Sequence, residues 1–169
     1  MDIQTGRKFL EESNGRAAAV RDRINHCLAQ MTDDDIWWVP AQGSNPVGVM
    51  LQHLVGNLRQ WIISGVGGEA DIRDRPREFR VEEKIPKARL QALFNETLDR
   101  VSETLVKADP SQLLKVRTVQ GSEQSILSTI YSAISHLDYH AGQISYVVKM
   151  RRGESYKEFW RPRTKAEGA

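Results

Sequence analysis

The chain has 169 residues, 40% hydrophobic and 27% charged, the make-up of a soluble globular protein with room for little beyond one domain, which we read as residues 1–160. Twenty-four Lys and Arg stand against 22 Asp and Glu, a net charge of +2 spread along the chain, which argues against a nucleic-acid partner. The single cysteine, Cys27, excludes a disulfide framework or a thiolate-rich zinc site, and together with a charged N-terminus and no apolar run of ~20 residues it points to a cytoplasmic protein without a membrane span.

A first helix is expected over about residues 3–30, where Ile3, Phe9, Leu10, Ala17, Val20, Ile24, Cys27, Leu28 and Met31 recur at helical steps. Thr32 followed by Asp35 reads as a capped new turn carrying Ile36, Trp37 and Trp38 and ending by Pro40. Asn45-Pro46 opens a second helix that should run to Ser64 and stop at the glycines 65–68. A polar connection over 66–85 follows, long enough to cross a bundle from end to end, so that helices two and three could run parallel. The third helix starts near Pro86, carries the stripe Leu90, Leu93, Phe94, Leu98, Val101 and Leu105, and ends at Asp109-Pro110. Residues 115–120 alternate and read as extended, but one short strand makes no sheet. Gly121-Ser122 is expected to open the fourth helix, which runs to about Arg152 and stops at Gly153, before a polar, mobile tail over 161–169. The fold class is all-α, a four-helix bundle with a long crossover between helices two and three.

His136 and His140 stand four apart, which on a helix puts both imidazoles on one face within reach of one ion. His53 in the second helix is the candidate third ligand. All three lie off the strongest apolar direction of their helices, so they face either solvent or a cleft. Their neighbours favour a cleft. Asn57, Gln60 and Ser64 follow His53, with Trp61 beside them, and Thr129, Ser132, Ala133 and Gln143 accompany the His pair, with few charges among them. Small residues leave room for a ligand, and amides such as Asn57 and Gln143 can orient a ring. Spacing alone leaves open both a three-His site and an ordinary polar stripe. His26, without a His or carboxylate at helical spacing, reads as a surface or helix-end residue. Asp138 points away from the pair. The acidic residues of the connection, Glu69, Asp71, Asp74 and Glu78, read as solvated, Arg73 and Arg75 as possible carriers of a substrate carboxylate, and Trp37, Trp38 and Trp61 chiefly as packing residues.

Several segments together resemble the DinB-like superfamily, which includes the YfiT-type metal-dependent hydrolases, and among these a subfamily of unknown function. They are Trp37-Trp38 with Pro40, Asn45-Pro46-Val47-Gly48 leading into His53-Leu54-Val55-Gly56-Asn57, Arg73-Asp74-Arg75-Pro76-Arg77-Glu78-Phe79, and His136-Leu137-Asp138-Tyr139-His140-Ala141-Gly142-Gln143-Ile144. The resemblance covers nearly the whole chain. It implies a four-helix bundle, often dimeric, that holds a divalent ion through one His of helix two and the HxxxH pair of helix four, positions filled here by His53, His136 and His140. Zinc and nickel suit such imidazoles best. It further implies a thiol S-transferase or hydrolase that acts on a small electrophile with a low-molecular-weight thiol. The alternative is a non-catalytic metal-binding bundle with a stress-related or interaction role. A homodimer is also suggested by apolar residues outside the main stripes: Val49, Trp61 and Ile63 on helix two, and Tyr131, Tyr139, Tyr146 and Met150 on helix four.

Overall fold

Asp2 caps the first helix by accepting the Thr5 N–H at 2.9 Å, and the chain winds on as α1 (Ile3–Leu28). The computed structural model describes residues 1–82 and 84–160; the tail 161–169 lies outside the described residues. Leu10, Ala17, Val20, Ile24, Cys27 and Leu28 are all buried on one face of α1, as their spacing requires. Burial pushes the Cys27 thiol above its ordinary range.

Thr32 and Asp35 form a reciprocal capping box that opens α2 (Asp33–Ile36). One Asp35 oxygen accepts the Thr32 N–H at 3.0 Å, and the other accepts Nε–H of Arg151 at 2.7 Å, from the far end of the last helix. The Thr32 backbone bond, then the Arg151 guanidinium, outweigh burial and hold the Asp35 carboxyl below the usual range. A carboxyl depressed in the folded state binds its proton more readily when unfolded. Its stabilisation is therefore present above the ordinary value of 3.8 and is lost as pH falls through the folded value. Asp35→Asn is expected to cost about 1–2 kcal/mol at neutral pH, with the difference from wild type narrowing below pH ~4, as read by urea unfolding at both pH values.

Trp37 packs on α3 (Val47–Leu58) at Gly48, where a Cβ would meet its indole carbons at 2.9 Å. The indole Nε1–H donates to the Ile85 carbonyl at 3.1 Å, tying the end of the long connection to this corner. Helix two runs to Ser64 as expected, but its last stretch, Arg59–Ser64, is π-helical, with the Gly65 N–H reaching back five residues to the Gln60 carbonyl. The connection over 66–85 carries a helical turn of its own, α4 (Arg75–Glu78), opened by the Asp74 side chain on the Arg77 N–H with Pro76 in the first turn.

Pro86 precedes α5 (Lys87–Lys107), whose Leu90, Phe94, Leu98, Val101 and Leu105 are buried as predicted, while Leu93 is only half-buried. The start of the fourth helix needs correction. Residues 116–119 do form a strand, β1 (Val116–Val119), and the next residues form its antiparallel partner, β2 (Ser122–Ser125), instead of the first helical turn. Gln120 and Gly121 both have positive φ, the two-residue turn that joins right-twisted strands. Ser125 then caps α6 (Ile126–Arg152), which ends at Gly153 with φ +53°.

The long helices α1, α3, α5 and α6 make the bundle, with α1 and α3 each packed against both α5 and α6. Gly67 meets Thr104 near the end of both α3 and α5, while Trp37 links Gly48 and Ile85 at their starts, so these two helices run parallel. The crossover between them is the expected one. Among the described residues, no helix is long and apolar enough to cross a membrane.

Candidate metal centre

Helical geometry brings His136 and His140 together on α6, with ring centroids 4.5 Å apart. Antiparallel packing of α3 against α6 adds His53, whose centroid lies 5.1 Å from that of His136 and 5.2 Å from that of His140. Each ring offers a nitrogen, and these nitrogens lie within 4.8 Å of one another. Nε2 of His53 and Nε2 of His136 face each other at 2.9 Å. Two nitrogens sharing one ion at about 2.0–2.1 Å stand roughly 3 Å apart, so this pair already has ligand spacing.

The electrostatics suit a cation. Burial first, then His53 and Arg73, hold His136 below the ordinary imidazole value; burial, His136 and His53 push His140 down to about 4. Neutral rings keep the lone pairs that an ion needs. Nδ1 of His140 is buried without a hydrogen-bond partner. The donor set and its spacing, with His136 and His140 held toward the neutral form, fit a divalent ion with three imidazole ligands.

The support of His53 comes from the crossover. Glu78, read from sequence as a solvated loop residue, is buried, and its Oε2 accepts Nδ1–H of His53 at 2.9 Å. That bond fixes the tautomer and turns Nε2 toward the α6 pair. Arg73 clamps Glu78 from behind, donating from Nε to Oε1 at 2.6 Å and from Nη2 to Oε2 at 2.8 Å. Gln60, in the π-helical stretch, accepts from Arg73 Nη1 at 2.8 Å and donates to Asp71 at 2.7 Å. Burial alone would raise the Glu78 carboxyl; the Arg73 guanidinium and the His53 ring outweigh it and hold it below its ordinary range. Arg73 is therefore spent on Glu78, not on a substrate. The missed signal was Asp74 before Pro76, a helix start that turns Glu78 inward, together with Gly56, where a Cβ would collide with the Glu78 carboxylate.

The other expected neighbours separate. Asn57, Trp61 and Ser132 line a cleft of about 360 Å³ with His53 and His136, and Arg75 and Gln120 stand at its rim. Asn57 Oδ1 and Trp61 Nε1 are buried there without a hydrogen-bond partner. Gln143 sits beside His140, with its Nε2 donating to the Tyr139 hydroxyl at 3.1 Å. His26 lies at the end of α1, away from the triad, with its Nε2 2.7 Å from the Lys157 carbonyl. Asp138 faces away, as expected, and pairs with Arg16 at 2.6 Å.

The model of a protein family described as "Protein of unknown function" (DUF1572) matches residues 4–165. A DinB-like protein from Bacillus cereus is similar in structure, with a TM-score of 0.66 at 17% identity over 85% of this chain and 90% of that one. A DinB-like protein from Bacillus subtilis is similar with a TM-score of 0.68 at 16% identity, over 90% of this chain and 99% of that one. These two likenesses show a DinB-like fold. No curated protein matches the chain.

Proposed function

The chain belongs to the DUF1572 family of unknown function, and from that footing we propose that it is a divalent-metal-binding protein whose open cleft serves thiol transfer or hydrolysis on a small electrophile. The observation that carries this is the convergence of His53, His136 and His140 on one point, with the buried Glu78–Arg73 pair behind His53. Three protein ligands leave a coordination position for solvent or a thiol, the pattern of catalytic rather than structural sites. A divalent ion held there, zinc or nickel by the preference of imidazole, supplies Lewis acidity that lowers the pKa of a bound water or thiol.

The chain's own residues do the rest. Glu78 holds the proton of the neutral His53 ring on Nδ1, the tautomer whose Nε2 presents a lone pair. Trp61 Nε1–H and the Asn57 carbonyl oxygen offer one donor and one acceptor to a polar substrate in the cleft. Arg75, stacked on Phe79 at 5.1 Å and exposed at the rim, is placed for a substrate carboxylate. Metal analysis of untagged protein, followed by a screen of low-molecular-weight thiols against small electrophiles, tests the reading. Bound metal with thiol-dependent turnover is expected. Metal without turnover across the screen would favour a non-catalytic, stress-related or interaction role instead.

We further propose that residues 1–160 act as one domain in the cytoplasm, with no nucleic-acid or membrane partner, and that the protein is a homodimer. Val49 and Ile63 turn out to be core residues and Trp61 is half-buried, so helix two no longer supports a partner surface. Tyr131, Tyr139, Tyr146 and Met150 on α6 remain 50–67% exposed and lie along one side of the helix. Light scattering should give twice the monomer mass at micromolar concentration. Tyr139→Glu with Tyr146→Glu should return the monomer mass; a wild-type monomer across the concentration range overturns the proposal.

A further inference from the structure

On the opposite side of the Glu78–Arg73 wall from the histidines lies a second cavity of about 380 Å³, between α3 and α5 and beneath the crossover. Gln52, Val55, Gly56, Arg59 and Ile63 line it at steps of three, four and seven along one face of helix two. Ile85, Leu90 and Leu93 supply an apolar floor. Its polar groups are unequally satisfied. Every acid in the lining is engaged: Glu69 by Arg100, Asp71 by Gln60, Asp74 by the Arg77 N–H, and Glu78 by Arg73 and His53. The donors are not. Gln52 Nε2 is buried without a hydrogen-bond partner, and the guanidinium groups of half-buried Arg59 and exposed Arg77 have no ion pair among the described residues.

We propose that this cavity is a second ligand site, separate from the metal centre, for a small carboxylate with an apolar chain. Two guanidinium groups without an ion pair, beside an amide N–H without a partner, select an anion. The planar guanidinium of Arg59 matches a carboxylate. The size lies within the range of small-molecule sites, and the aliphatic floor suits a chain of several methylenes rather than a sugar or a nucleotide base. A fully buried amide donor without a partner is costly, and a bound carboxylate oxygen relieves that cost.

Calorimetry with octanoate, octanol and acetate separates the contributions. Octanoate is expected to bind, and octanol and acetate to bind at least roughly tenfold more weakly, because each lacks one half of the recognition. Arg59→Gln and Gln52→Leu should each weaken octanoate by roughly tenfold, and Arg77→Gln, an exposed change that leaves the packing alone, should weaken it by a smaller factor. His136→Ala should leave octanoate binding unchanged, since that residue lies outside the cavity. The proposal fails if octanoate does not bind at millimolar concentration, if octanol or acetate binds as well, or if neither Arg59→Gln nor Arg77→Gln weakens it. It also fails if His136→Ala or saturation with zinc abolishes binding, which would place the carboxylate on the metal side. Circular dichroism of each variant establishes that it is folded.

Discussion

His136→Ala is expected to abolish stoichiometric binding of a divalent ion while leaving helical content nearly unchanged and, compared metal-free with metal-free, thermal stability nearly unchanged; the metal-loaded wild type should melt higher, because the ion binds only the folded state. The His136 Nε2 lies 2.9 Å from Nε2 of His53, the spacing of two ligands on one ion. Removing it leaves two imidazoles, and solvent cannot replace the donor without loss of affinity. The fold does not depend on it. The side chain is only half-buried, alanine favours a helix interior, and the core formed by Leu51, Leu54, Leu58, Ile130, Leu137 and Ile144 excludes the ligands. A stability change within about 1 kcal/mol follows. His26→Ala, which loses only the contact to the Lys157 carbonyl, should keep full metal occupancy. Competition with a chromogenic chelator and a thermal melt decide the matter. An His136→Ala variant that still binds one ion per chain would remove the site, and a metal-free protein that is unfolded would make the ion structural.

The second large effect is expected at Glu78. Glu78→Gln should weaken metal affinity by about 10–100-fold, because His53 loses the charged acceptor that orients it. It should also destabilise the fold by about 3 kcal/mol, since Arg73, with a side chain only 3% exposed, then keeps a buried charge without its counterion. Gly56→Ala should reproduce the metal defect without touching any charge, because its Cβ would occupy the place of the Glu78 carboxylate. Both variants leave the His pair on α6 intact, so a weak two-ligand site should remain measurable. Metal affinity unchanged in both variants would show that Glu78 only braces the crossover.

The HxxxH pair was legible because helical spacing alone fixes the relation of His136 to His140. The burial of Leu90, Phe94 and Leu98 and the capping box at Thr32 were legible for the same local reason. The π-helical stretch over Arg59–Ser64 was not: its residues carry ordinary helical periodicity, and the wide turn emerges only where Gln60 reaches the crossover and Trp61 the cleft. The hairpin over 116–125 was half legible. The alternation of β1 shows in the sequence, but Ser122–Ser125 is a polar run that forms a strand only because β1 lies opposite it.

By itself the sequence determined an all-α bundle with a crossover, and three histidines of which two must share a face. Side-chain periodicity carries that information within one helix. It says nothing about which residues of a long connection turn inward. Only the tertiary structure decided that Glu78 and Arg73 leave solvent to stand behind His53, where each satisfies the buried charge of the other. Only it showed the resulting wall to have a histidine cleft on one side and a cavity with unpartnered donors on the other. Contacts between residues far apart in the chain depend on how helices pack, and side-chain periodicity does not encode them.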